Sequence, residues 1–371
     1  MPMMKHTTHL TKEKVLEVAE KSCRTLMEKY TPAKLPPAMR FHYHQSVFLM
    51  GMLQVWEVTG NVEYFNYIKG YYDELIDDEG NFVYERDQLD SIQVGILLFK
   101  LYEETGHEKY MIAARKLRNI IETVNRTSEN GFWHKDKYPY QMWLDGLYMA
   151  GPFLVKYANQ FHEKDLISLV LYQEKLMRKH MTDPETGLLY HAWDEKKIQS
   201  WADPETGCSP EFWGRSVGWY GTALIDILEA IGDTYQGQEE LPSEIAKYIE
   251  NVVRFQDEES GLWYQIVDKG DQEDNWLESS SSSLYLYTMA KALQHGYIDE
   301  KYEENLFKGF EGLLELMTEE NGEKLHVKGI CIGTSAGLYD YYVNRPTSID
   351  DLHGVGAFLF AAMSLYDYLE V

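Results

Sequence analysis

The sequence predicts an all-α fold, an (α/α)6 barrel of six inner and six outer helices. Three observations predict it: a short glycine turn that recurs along the chain, an amphipathic segment before each turn, and a segment apolar nearly all round after it. The turn pattern is an acidic or Asn residue, then Gly, then residues ending in an aromatic. It appears as DDEGNFVY (Asp77 to Tyr84), SENGFWH (Ser128 to His134), DPETGLLYHAW (Asp183 to Trp193) and DEESGLWYQIV (Asp257 to Val267), with a weaker copy in ENGEKLHV (Glu320 to Val327). Each reads as a Gly-centred turn between short extended pieces.

In chain order, the first pair is Lys12 to Lys29, where Val15, Val18, Ala19, Ser22 and Leu26 keep helical spacing, and Tyr43 to Thr59. The second is Val62 to Leu75 with Gln88 to Thr105, and the third Glu108 to Thr123 with Gln141 to Asn159. Lys164 to His180 with Arg215 to Ile231, Pro242 to Phe255 with Ser279 to His295, and Lys301 to Met317 with Leu352 to Leu369 complete six. The first member of each pair has a charged face and belongs outside, half exposed. The second is apolar on every side and therefore buried on every side. An open two-layer solenoid would use the same segments, but six irregularly spaced pairs with long turns favour closure. No Pro-, Gly- or Ser-rich stretch reads as a linker, since the Ser279 to Ser283 run opens a buried helix, so residues 1–371 are expected to form one domain.

With 35 Lys and Arg against 60 Asp and Glu, the net charge is -25. That balance argues against nucleic acid and anionic membranes as partners, because both demand a basic surplus. At 44% hydrophobic and 26% charged, the chain has the composition of a water-soluble globular protein. MPMMKHTTHLTKEKV holds no signal-peptide core and no run approaches the roughly 18 to 20 apolar residues of a membrane span, so a cytoplasmic location is expected. Cys23, Cys208 and Cys331, odd in number and far apart, read as reduced structural thiols, with no metal, redox function or cofactor implied. The 28 Tyr and 9 Trp are many for this length; some are core, but rings also stack on sugar faces.

Inner helices that all run the same way bring their N-terminal ends to one mouth. Gathered there are Tyr43, His44 and Gln45; Asp87 and Asp90; His134, Lys135, Trp143 and Asp145; His191, Trp193, Trp213, Arg215 and Trp219; and the loop Gly333 to Gly337 with His353. Carboxylates, imidazoles, an arginine and indoles together suit acid–base chemistry on a sugar that carries a carboxylate. Asp90 and Asp145 fall on adjacent inner helices, whose axes lie roughly 8 to 10 Å apart. Two carboxyls that close in an apolar mouth do not both ionise readily, so one should have a raised pKa. Structural alternatives stand beside these readings. Asp87 reads as a helix cap; Arg215 could pair with the buried aspartates as a structural ion pair; and His42, His44 and His353 read as core histidines. His191, on a turn between Tyr190 and Trp193, is harder to explain by packing.

The stretches RFHYHQSVFLMG (Arg40 to Gly51), GFWHKDKYPYQMWLDGLYMAGPF (Gly131 to Phe153), YHAWDE (Tyr190 to Glu195), GCSPEFWGRSVGWY (Gly207 to Tyr220), DNWLESS (Asp274 to Ser280) and GTSAGLYDYYV (Gly333 to Val343) resemble glycoside hydrolase family 105, in its unsaturated rhamnogalacturonyl hydrolase branch from Bacillus-type bacteria. The resemblance runs in order over nearly the whole chain and implies the same (α/α)6 barrel. It implies that Asp145 is the catalytic acid and base and Asp90 the second acidic residue at the reacting sugar. It implies that Tyr43, His134, Lys135, His191, Trp213, Arg215, Trp219, Thr334 and Ser335 line the substrate pocket, with no metal or cofactor. The implied substrate is a small acidic oligosaccharide, a 4,5-unsaturated galacturonyl-rhamnose left by a polysaccharide lyase. The implied reaction hydrates its vinyl ether. Three other readings remain: an unsaturated glucuronyl hydrolase on glycosaminoglycan fragments, a sugar 2-epimerase using His191 and His353, and a catalytically silent glycan-binding scaffold. The sequence leaves the oligomeric state open.

Overall fold

In the computed structural model, which describes residues 10–83, 89–232 and 237–370, the helices follow the predicted order. α1 (Lys12–Lys29) precedes α2 (Tyr43–Thr59), α3 (Val62–Leu75) precedes α4 (Ile96–Thr105), and α5 (Glu108–Ile121) precedes α6 (Gly146–Phe161). α7 (Asp165–Met181) pairs likewise with α8 (Gly214–Ile231) and α9 (Leu241–Val253) with α10 (Ser279–Gln294). α11 (Glu303–Met317) is followed by the short α12 (Tyr339–Val343) and then α13 (Leu352–Tyr368). The ring closes as expected. α13 packs on α2 and α10, α8 on α10 and α6, and α4 with its leading turns on α6 and α2.

Local chemistry sets the ends of these helices. Thr11 caps α1 by accepting from Lys14 N, Asn61 caps α3 by accepting from Glu63 N, and Gly60 ends α2 in the left-handed conformation. The serine run opens α10 with all five side chains buried; the Glu278 side chain caps it by accepting from Ser281 N at 2.6 Å. Small side chains there let α10 approach its neighbours. Gly51 and Gly356 do the same between α2 and α13, where a Cβ would stand 2.5 Å from Leu359 Cβ and from the Val47 backbone carbon respectively.

Each recurring glycine turn forms. Gly80, Gly187, Gly261 and Gly322 take positive φ, and in the SENG copy Asn130 takes it instead, at 67°. Asp183 and Asp257 accept from backbone N–H groups three residues on, which explains the acidic residue in the pattern. A further copy, Asp203 to Cys208, was not read from the sequence. It has the same Asp side chain to N–H bonds and a Gly207 φ of 85°, but lacks the following aromatic.

Two inner segments start differently from the expectation. Gln88, Asp87 and Tyr84 lie outside the described residues, so the capping role expected of Asp87 does too. From there the chain makes two 3-10 turns, Leu89–Ser91 and Gln93–Gly95, before α4 begins. The segment expected to be helical from Gln141 begins instead as β1 (Gln141–Trp143), antiparallel to β2 (Ala192–Asp194), and α6 starts only at Gly146. A short run such as MWL carries no period, so helix and strand look alike in it. β3 (Thr318–Asn321) with β4 (Lys324–Val327) and β5 (Ile330–Cys331) with β6 (Thr347–Ser348) form two further hairpins. Among the described residues no helix is long and apolar enough to cross a membrane. All three cysteines are buried and unpaired.

Candidate active site

At the N-terminal ends of the inner helices lies a cavity of about 250 Å³. Tyr43, Asp90, His134, Lys135, Trp143, Asp145, Trp213, Arg215, Trp219, Thr334 and Ser335, among the residues the sequence reading places at the mouth, line it. His42, His44, Lys137, Tyr138, Gly333, Tyr341 and Arg345 complete the wall.

Asp90 sits in the first 3-10 turn and is 4% exposed. Lys135 Nζ donates to its Oδ2 at 2.8 Å, His134 Nε2 stands 3.2 Å from Oδ1, and His42 Nε2 stands 3.6 Å from Oδ2. Burial would raise the Asp90 pKa, but Lys135, then His134 and His42, overcome it and hold the carboxyl well below its ordinary value. Asp145 occupies the N-cap position of α6 yet makes no capping bond. Its Oδ2 is 3.9 Å from the same His134 Nε2, and its buried Oδ1 has no hydrogen-bond partner. Burial lifts the Asp145 pKa first; Asp90 lifts it further, against the opposing pull of His134 and Lys135. One imidazole nitrogen thus stands between a carboxyl shifted down and a carboxyl shifted up.

Rings build the walls. Trp143 stacks on His134 at 4.7 Å and on Tyr138 at 4.8 Å, and Trp219 stacks on Tyr148 at 4.5 Å. Tyr43 meets Trp219 edge-on, and burial raises its phenol pKa. The loop from Gly333 is tied across the mouth, with Ser335 Oγ 3.2 Å from Tyr138 Oη and Thr334 Oγ1 donating to Ile332 O.

Four residue readings need correction. Arg215 is not the ion-pair partner of the aspartates: its guanidinium donates to the Cys331 and Ile332 carbonyl oxygens at 2.6 and 2.9 Å and lies over Trp213. Cys331 is itself fixed by donating its N–H to the buried Glu278. His191 does not line the cavity. It is fully buried behind Trp143 and Trp213, with Nδ1 2.7 Å from Tyr342 Oη, because the β1–β2 pairing carries it inward. Gln45 and Trp193 also lie off the wall. Gln45 donates to the Leu35 and Pro37 carbonyls, and Trp193 stacks on His180 and donates to Thr206 O.

Lys137, Tyr138, Tyr341 and Arg345 were missed as wall residues. Their signal is weak, since they sit in loops with no period, although Tyr138 follows His134 and Lys135 within one turn-rich stretch. A larger cavity of about 460 Å³ lies at the opposite end of the barrel, among Glu57, Lys100, Lys156, Asp226, Glu229, Lys291 and Asp367. Burial pushes Asp226 there up to about 7. It sits at helix C-termini, whose partial negative ends disfavour an anion.

A closed double ring of helices with a carboxyl pair and stacked rings at one mouth is an (α/α)6 barrel suited to acid–base chemistry on a sugar. The Glycosyl Hydrolase Family 88 model matches residues 18–369, and the chain belongs to that family. It is also similar to a family 105 glycoside hydrolase of C. acetobutylicum ATCC 824, 32% identical with a TM-score of 0.89 over 95% of this chain and 99% of the other. That likeness bears out both the resemblance to family 105 and the fold. Unsaturated rhamnogalacturonyl hydrolase YesR of Bacillus subtilis (strain 168) is 29% identical over 243 residues, 64% of this chain and 66% of YesR. Protein Atu3128 of Agrobacterium fabrum is 30% identical over 229 residues, 57% of this chain and 96% of its own length.

Proposed function

We propose that this hydrolase removes the 4,5-unsaturated galacturonyl residue from unsaturated galacturonyl-rhamnose by hydrating its double bond, with Asp145 as acid and then base. The observation that carries the reading is the inequality of the two carboxyls around His134: Asp145 shifted up, Asp90 shifted down. A buried carboxyl whose pKa is raised above the ordinary carboxylate value is the kind of donor such a reaction requires. The similarity to YesR supports the choice of sugar.

In the proposed reaction the Asp145 proton goes to C4 of the vinyl ether. Positive charge develops at C5 and the ring oxygen, next to the ionised Asp90. Water adds at C5, and the Asp145 carboxylate takes its proton. The resulting hemiketal opens to release rhamnose and a 4-deoxy-5-keto-uronic acid. The anomeric carbon is never attacked, so the rule linking carboxylate separation to stereochemistry does not apply. Lys135, Arg215 and the inner-helix N-termini make the mouth receptive to the sugar's carboxylate. Tyr43, His134, Trp213, Trp219, Thr334 and Ser335 hold the ring, and His191 supports Trp143 and Trp213 from behind.

The test is direct. Lyase-digested rhamnogalacturonan should lose the ultraviolet absorbance of its conjugated uronate when the protein is added. Faster loss with chondroitin disaccharides would instead assign the substrate to glycosaminoglycan fragments, and binding with no loss would make the protein a glycan-binding scaffold.

A further inference from the structure

Beside the cavity lies a cluster of three side chains that this chemistry does not use. His44, in the first turn of α2, and His353, in the first turn of α13, meet where those helices pack, with ring centroids 4.7 Å apart. Asp351, at the N-cap position of α13, lies between them without capping the helix. His353 Nδ1 is 2.9 Å from Asp351 Oδ1, and His44 Nδ1 is 3.5 Å from the same oxygen. One donor atom from each residue lies within 4.8 Å of the others.

His353 decides what the cluster can hold. Its Nε2 is 3.1 Å from the Cys331 carbonyl oxygen. A carbonyl only accepts, so Nε2 carries the proton and Nδ1 of the neutral ring is a bare lone pair. That Nδ1 has no well-aligned hydrogen bond, and the residue is 0% exposed. A lone pair facing a carboxylate oxygen at 2.9 Å is repulsive unless a positive charge sits between them, either a second proton or a metal ion. An N–H to carbonyl bond on the far ring nitrogen is also the outer contact that metal-bound histidines make, and it turns the other nitrogen toward the ion. Two imidazoles and a carboxylate are a common donor set for zinc and neighbouring divalent metals. Bonds of about 2.0 to 2.2 Å in a tetrahedral site put donors roughly 3.4 Å apart. The two distances to Asp351 Oδ1 bracket that spacing.

We propose that His44, Asp351 and His353 form a binding site for a divalent first-row metal ion, zinc being the reference ion, at the junction of α2 and α13. His44 also lines the cavity, which supplies an entry path. The charge of Arg215 reaches both His44 and Asp351 and opposes a cation, while the Asp351 carboxylate offsets one positive charge. The sequence shows no metal-ligand spacing because the donors come from opposite ends of the chain.

The test uses the full chain, stripped with a chelator and titrated with Zn²⁺ and Co²⁺ by calorimetry and visible absorption. The site should bind one equivalent with micromolar or tighter affinity and give the d–d bands of four- or five-coordinate cobalt. Asp351→Asn and His353→Gln should each weaken binding about tenfold or more, whereas His107→Gln, on an exposed residue, should leave it unchanged. Should those variants misfold, anomalous diffraction from zinc-soaked crystals of the unaltered protein decides alone, with a peak between the three side chains. No uptake at millimolar zinc, uptake undiminished in both variants, or no anomalous peak there would overturn the proposal in favour of an imidazolium–carboxylate pair.

Discussion

Asp145 has a carboxyl that burial lifts and that Asp90 lifts further, with no hydrogen bond to its buried Oδ1. Asp145→Asn should therefore cut kcat by about 10³-fold or more, the scale of lost acid–base catalysis, while substrate affinity by calorimetry stays within a few-fold. The sign of the pH dependence follows from the shifts. The donor form of Asp145 persists to higher pH than an ordinary carboxyl, so kcat/KM should fall as pH rises through its raised pKa. Asp90→Asn removes the charge that raises Asp145 and frees Lys135 and His134, both of which lower it. Its basic limb should then move to lower pH, whereas His134→Gln should move it to higher pH; pH profiles of kcat/KM measure both. The two aspartates were legible in the sequence, because carboxylates beside Leu144, Leu147 and Ile92 need a reason to be buried. Their partners were not. Lys135 reaches Asp90 across forty-five residues, a pairing that only the closed ring defines.

The helical elements were legible almost to the residue where amphipathic period and caps agree, as in α1 and α3. Legibility failed where no period exists: the 3-10 turns around Asp90 and the β1 strand before Asp145. Both failures fall at the mouth, where the backbone leaves regular geometry to aim the side chains. His191 shows the same limit, since a strand pairing rather than a helix carries it inward. Closure of the ring rests on close approach between inner helices. Gly356→Ala would set a Cβ 2.5 Å from the Val47 backbone carbon, a contact that no side-chain rotation relieves. It should cost about 1 to 3 kcal/mol of unfolding free energy, measured by urea denaturation, with part of the loss appearing as a raised KM because α2 and α13 both feed the mouth.

For the molecule as a whole, a net charge of -25 stands against the proposed substrate, which is itself an anion. Local and global fields must oppose each other, with helix N-termini, Lys135 and Arg215 set in an acidic shell. Long-range repulsion is screened within about 8 Å at physiological salt. kcat/KM should accordingly rise with ionic strength from low salt to a plateau, and the methyl ester of the substrate should show no such rise; a fall with salt would mean that the basic mouth governs encounter. The central claim is that the enzyme hydrates a double bond and leaves the glycosidic carbon alone. Turnover in heavy water tests it most directly, with the uronic product read by NMR. Deuterium at C4 is the predicted result, and a product with none at C4 would contradict it.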